Sequence, residues 1–186
     1  SQYTSPASLT DFSQAQIQSM LQYAPYAHDT AVAAEITANQ SYGVALTNYL
    51  RGQRSNENAG YGFRYRNSVL GDIVNSDPRY VGFPNFRYPE TLAPKSYAAF
   101  KSHYAARASV VYAGANDGML HGFAETDGRE VLAYVPSAVY RNLPELARTD
   151  YMHEYYVDGG PNIVDAYMPG KTDPISGTSG AWRTVL

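Results

Sequence analysis

Cysteine is absent from the 186 residues, which removes disulfides, thiolate nucleophiles and zinc–thiolate centres while leaving the compartment open. Basic charge is in short supply as well: 14 Lys and Arg stand against 17 Asp and Glu, a net charge of −3. That balance offers no electrostatic footprint for nucleic acid or for an anionic membrane. No stretch reaches the ~18 consecutive apolar residues of a membrane-spanning helix, and no basic segment followed by an apolar one marks a signal peptide. In an internal piece of a longer protein, that second absence carries no message about export. The four histidines, His28, His103, His121 and His153, lack H-x-H and H-E-x-x-H spacing, so no zinc or metalloprotease pattern is written here.

What is present is tyrosine, 18 residues, and glycine, 15, in a chain that is 44% hydrophobic and 17% charged. This is ample for one packed domain. The stretch Val110 to Pro136 organises the rest. Val110, Val111 and Tyr112 suit a pleated, half-buried surface. Asn116-Asp117-Gly118 follows, and such pairs favour hairpin turns because Gly, and to a lesser degree Asn and Asp, tolerate positive φ. Met119 to Ala124 makes a second strand, Asp127-Gly128 a second turn, and Val131 to Val135 a third strand closed by Pro136. An ordinary antiparallel domain contains such meanders. The full order of residues resembles more closely one blade of a quinoprotein-type β-propeller, in which glycines mark tight turns and close backbone approaches. A propeller needs at least four blades of roughly 40 to 50 residues each. One whole blade and the start of a second are found, and Trp182 to Leu186 has the composition of a strand in progress. The expectation is a piece of a longer protein, poorly stable alone unless a partner covers its open edges.

Before the meander, Leu9 to Ala24 shows the i, i+3, i+4, i+7 spacing of a helical face ended by Pro25, and Ala27 to Ser41 reads as loop. Tyr42, Leu46, Tyr49 and Leu50 share a second helical face with Gly52 as its C-terminal cap. Residues 51–63 read as a polar connection. Val69-Leu70, Ile73-Val74 and Tyr80-Val81 suggest strands broken by Gly71 and Pro78. A short helix is expected over Ser96 to His103, with Tyr97, Phe100 and Tyr104 on one face. Ala138 to Ala147 reads as a helical excursion, Tyr155 to Asp165 as strand, turn and strand, and Lys171 to Gly180 as a loop. The fold class expected is therefore mostly β: a partial, quinoprotein-like β-propeller with a short α-helical lead-in. Residues 1–63 form the lead-in and connection, and residues 64–186 the first blades.

Asp72, Asp77, Asp117, Asp127, Asp158 and Asp165 lie mostly beside Gly, Pro or Asn, where carboxylates stabilise turns by accepting backbone N–H bonds; a calcium site assembled from several of them is the competing use. His121 is read as a packing or hydrogen-bonding residue. Gly177 to Ala181 is similar to a nucleophile elbow but ends in Ala with no strand before it, so it is read as loop. Arg64 and Arg66 are expected to pair with Asp72 or Asp77. Tyr112, Tyr134, Tyr140, Tyr155 and Tyr156 are expected to pack between blades and form the rims, with an adhesive surface as their other use. No catalytic, cofactor-binding or metal-ligating residue is assigned.

Five segments taken in order resemble a known family. They are Asn48-Tyr49-Leu50-Arg51-Gly52-x-Arg54-Ser55-Asn56-Glu57, then Arg66-x-Ser68 through Ser76, then Val111-Tyr112-x-Gly114 through His121, then Ala133-Tyr134-Val135-Pro136-Ser137, and Tyr156-Val157-Asp158-Gly159. Together they are similar to the C-terminal β-propeller of the PilC/PilY family, the type IV pilus assembly factors and tip-associated adhesins. The resemblance runs from about Thr47 to the end. It implies a non-enzymatic role in pilus extension against retraction, surface adhesion and twitching motility, in an exported protein of the fimbrium or pilus tip, cell surface or outer membrane. The implied partners are minor pilins, a host or abiotic surface and the remaining blades of the same protein, with neither nucleic acid nor a membrane span. Calcium, where the full-length protein uses it, is expected to be held by residues outside this chain, because no D-x-[DN]-x-[DN]-G run occurs here. Some members carry an Arg-Gly-Asp tripeptide; Arg51-Gly52-Gln53 lacks the carboxylate that an integrin's metal ion requires. Blade type alone leaves a pyrroloquinoline-quinone dehydrogenase fragment as an alternative, which needs an aromatic ring to stack the quinone, and Trp182 is the one tryptophan. A passive assembly scaffold is the third reading.

Overall fold

The computed structural model describes residues 41–186, so the helix expected over Leu9 to Ala24 and nearly all of the loop after it lie outside the described residues. The chain divides into two compact units, each assembled from separated segments.

The described part of the first unit comprises residues 41–74, 115–119 and 134–158. Helix α1, Ser41–Leu50, buries Tyr42, Leu46, Tyr49 and Leu50, the face that the spacing predicted. It ends where Gly52 takes φ +101° and donates to the Tyr49 carbonyl, with Gln53 donating to Asn48, so the last carbonyls of the helix are satisfied at the left-handed residue only glycine adopts cheaply. The helical face packs with Phe63, Met119, Val135, Leu143, Leu146 and Ala147. Two short 3-10 helices, Ser137–Val139 and Leu143–Ala147, are in keeping with the expected helical excursion, and the second carries the last three of these residues. Gly118 is required twice over: its φ is +92°, and a Cβ there would collide with Cδ2 of Leu143. The two strands expected at Val69-Leu70 and Ile73-Val74 do not form, and all four side chains are exposed. Their backbone is used otherwise: the Gly71 N–H donates to the Asp117 carboxylate at 2.8 Å, and the Asp72 carbonyl accepts from the Asn116 N–H at 3.0 Å. A turn occupies the groups that a strand ladder would need.

The second unit comprises residues 75–114, 120–133 and 159–186. Strands β1 (Arg79–Val81), β2 (Val110–Gly114), β3 (Leu120–Ala124) and β4 (Glu130–Tyr134) form one four-stranded sheet in that order. β1 and β2 are antiparallel with Tyr80 opposite Val111, and β2 and β3 are antiparallel with Tyr112 opposite Gly122. The meander and the Tyr80-Val81 strand are thus as expected, and they make a sheet of the size of one blade. Helix α2, Tyr97–His103, is capped by the Ser96 hydroxyl oxygen, which accepts from the Ala99 N–H at 3.1 Å. Strands β5 (Val164–Thr172) and β6 (Ser179–Val185) form an antiparallel hairpin with Tyr167 opposite Trp182. Its register shifts between Met168 and Thr172, the irregular place at which Pro169 is tolerated. Trp182, Tyr97 and Phe100 make the buried cluster of this unit, flanked by Tyr88, Tyr104 and Tyr167.

Two further expectations are corrected. Residues 155–163 hold no strand; the N–H of Tyr156 donates to the Asn116 side-chain oxygen at 3.1 Å, which takes it out of any ladder. The loop expected over Lys171 to Gly180 narrows to residues 173–178, because the hairpin strands reach into it from both sides.

Candidate functional site

In the first unit, a half-open cavity of about 260 Å³ lies beside the end of α1, lined chiefly by residues 64–72, Asn116, Asp117, Tyr151 and His153. Its polar wall is built by sharing acceptors. The Asp117 carboxylate accepts from the Gly71 N–H at 2.8 Å and from the Met119 N–H at 3.1 Å. Asp72 Oδ2 is 2.8 Å from His153 Nε2 and accepts from Asn116 Nδ2 at 3.3 Å. Partial burial acts to raise the Asp72 carboxyl, but the bonds from His153 and Asn116 outweigh it and hold the group below its ordinary range.

Two arginines flank this wall, and neither pairs with Asp72 or Asp77 as expected. Arg66 is buried and fully engaged: Nε donates to Glu57 at 2.8 Å, Nη1 to the Tyr49 carbonyl at 2.7 Å and Nη2 to the Gln53 carbonyl at 2.9 Å. Its guanidinium sits 3.6 Å from the centre of the Tyr49 ring. The reason is local, since the negative end of the helix dipole favours a cation, and the Tyr49 carbonyl, already bonded by the Gly52 N–H, accepts a second bond. Burial raises the Tyr49 hydroxyl above its usual range against the opposing charges of Arg66 and Arg64. Arg64 donates through Nε to the Leu146 carbonyl at 3.0 Å and lies over the Tyr151 ring.

The second unit has a smaller cavity of about 190 Å³ next to Trp182. Lys95 Nζ there donates to Ser176 at 2.5 Å, Thr178 at 2.6 Å and Asp173 at 3.2 Å. Bonds from the Ser176 hydroxyl, then from the Ile175 N–H and Lys95, pull the Asp173 carboxyl down to about 2. Asp165 is buried and accepts from the hydroxyls of Tyr97 at 2.5 Å and Thr184 at 2.6 Å. Burial first, and then the bond to Asp165, raise the Tyr97 hydroxyl far above its ordinary range.

Of the aspartates singled out in the sequence, Asp72 and Asp117 meet at the first cavity, Asp127 stabilises its own turn through the Arg129 N–H at 3.0 Å, and Asp165 lies in the core of the second unit. Among the described residues, no group of three or more His, Cys, Asp and Glu is placed to hold a metal ion, and no helix is long and apolar enough to cross a membrane. His121 hydrogen-bonds Glu130 at 2.6 Å and stacks on Phe123. Tyr134 and Tyr155 are exposed, whereas Tyr140 and Tyr156 pack on the first core. Sequence reasoning missed Glu57, Lys95 and Asp173. No periodicity marks them, because their partners come from irregular segments.

The pattern of the PilY1 beta-propeller domain matches residues 70–176, more than half of the chain. The chain belongs to this propeller family. It is mostly β, and its four-stranded sheet and hairpin form part of such a propeller. A type IV pilus biogenesis factor PilY1 homolog of Xylella fastidiosa is 44% identical over 81% of this chain and 12% of its own length. The type IV pilus biogenesis factor PilY1 of Pseudomonas aeruginosa strain PAK is 44% identical over 74% of this chain and 11% of its own. A second Xylella homolog is 36% identical over 92% of the chain. The chain therefore spans little more than a tenth of the length of the relatives it matches. No solved structure matches the chain.

Proposed function

We propose that this chain is the opening part of the propeller of a type IV pilus biogenesis factor, exported to the fimbrium or cell surface, where it supports pilus extension, attachment and twitching. The observation that carries this reading is the propeller match over residues 70–176, joined to 44% identity with proteins named for pilus biogenesis. Residues 64–186 supply the first blades, minor pilins and the remaining blades are its partners, and any calcium is held elsewhere in the full-length protein. The role suits the architecture. Strands hydrogen-bonded side by side resist separation, and blade faces bury apolar area worth about 25 cal/mol per Å².

The dehydrogenase alternative has less in its favour. Trp182 is stacked on Tyr88 at 5.3 Å, meets Tyr97 edge-on at 4.9 Å and donates through Nε1 to the Lys95 carbonyl, so its ring is used by the core. The test is an in-frame deletion of residues 70–176 in the native gene. Loss of surface pili and of twitching zones is expected. Normal piliation and motility in the deletion strain would overturn the proposal. In a retraction-deficient background that retains pili, unchanged surface attachment would remove adhesion and leave a scaffold.

A further inference from the structure

The cavity of the first unit contains an arginine that is held in place but not used up. Nε of Arg64 is tied to the Leu146 carbonyl, and its guanidinium carbon lies 4.6 Å from the centre of the Tyr151 ring. These two contacts fix the plane of the fork in advance. Among the described residues, Nη1 and Nη2 have no acceptor, whereas every nitrogen of neighbouring Arg66 has one. The other charged or titratable groups on the cavity are already engaged: Asp117 by two N–H groups, Asp72 by His153 and Asn116, and Tyr49 by carbonyls. One fork of donors is thus left for a ligand.

We propose that this cavity takes a carboxylate carried on a polypeptide, an Asp or Glu side chain flanked by apolar residues, with Arg64 as its bidentate anchor. Arginine matches a carboxylate with two parallel N–H bonds. A dianion such as phosphate fits worse, because Asp72 and Asp117 line the same space. The volume of about 260 Å³ lies below the ~300 to 1,000 Å³ of sites that enclose whole small molecules, so a side chain fits and the rest of the ligand lies outside. The lining suits an apolar chain: Val69 and Leu70, on one lining loop, are 38% and 40% exposed, and Leu50 and Leu146 line the same space. The proposal rests on this geometry and is independent of the pilus reading.

The test uses the purified full-length gene product, titrated calorimetrically with acetyl-Leu-Glu-Leu-amide, its Gln counterpart and sodium acetate. Protection of Arg64 from phenylglyoxal, read by mass spectrometry, is the second measurement. The Glu peptide is expected to bind roughly tenfold or more tightly than the Gln peptide, as a charge-assisted pair requires, and to protect Arg64 at concentrations where acetate does not. Arg64→Lys, which keeps the charge and loses the fork, should weaken the Glu peptide severalfold and leave a smaller preference over Gln. Leu70→Asp, an exposed change that leaves the contacts of Arg64 in place, should weaken the Glu peptide severalfold through like-charge repulsion, and it carries the test if the Lys variant fails to fold. Equal binding of the two peptides, binding of neither, acetate protecting as well as the peptide, or an unaffected Leu70→Asp protein would each overturn the proposal.

Discussion

One unit buries a cation beside its counter-ion and the other an anion among neutral donors. Arg66 is 7% exposed and Asp165 is 3% exposed. Around Arg66 the compensation is ionic and nearby: Glu57 is nine residues away, and two carbonyls come from the end of α1 and the turn after it. Around Asp165 it comes from neutral donors, the Tyr97 hydroxyl 68 residues away and the Thr184 hydroxyl on the paired strand. The comparison teaches that the sign of a buried charge follows the backbone beside it. A helix end presents carbonyls and draws a cation, whereas the contact of a helix with a hairpin brings hydroxyls to a carboxylate.

The largest expected effect breaks the ionic side. Arg66→Met strands the Glu57 carboxylate, whose side chain is 4% exposed, and should cost about 3–5 kcal/mol in urea unfolding, with Glu57→Gln restoring part of the loss in the double variant. Asp165→Asn should cost less, about 1–3 kcal/mol, because the amide still accepts one of the two hydroxyls. A larger loss for Asp165→Asn than for Arg66→Met, measured by the same unfolding, would reverse the comparison. Ser96→Ala removes the cap of α2, the helix that carries Tyr97, and should lower stability by about 1 kcal/mol in the same assay.

The smallest effect is a pH dependence in the second unit. The Asp173 carboxyl is lowered from 3.8 to about 2. Its contribution is therefore present above the ordinary carboxylate value and is lost as pH falls through about 2. Melting temperatures from pH 5 to pH 2 should show the parent protein losing its small advantage over Asp173→Asn, and a constant gap would contradict this.

Legibility in the sequence followed the range of the interactions. α1, α2 and the meander were readable because spacing, caps and Asp-Gly turns act within a few residues. Val69 to Val74 looked like strands by composition, yet the Asp117 carboxylate and the Asn116 backbone N–H, more than 40 residues away, claim the Gly71 N–H and the Asp72 carbonyl. For Arg66, the sequence offered Asp72 and Asp77 and passed over Glu57, because the choice depended on where α1 ends. Lys95 and Asp173 are 78 residues apart, and no local pattern relates them. Both aspartates of the cavity were read as turn formers; Asp117 is one, whereas Asp72 bonds the side chains of His153 and Asn116, and the half-used Arg64 beside them is visible only in three dimensions.

The bond from Trp182 to the Lys95 carbonyl joins residues 87 positions apart. A ribosome adding about 5 to 20 residues per second needs roughly 4 to 17 seconds to travel that distance. Throughout that interval Tyr97 and Phe100 exist without the indole that completes their cluster, and closure of so long a loop is entropically costly before the contact rewards it. Synthesis of β6 thus times the completion of this cluster, and the nascent aromatic surface stays open until that strand arrives.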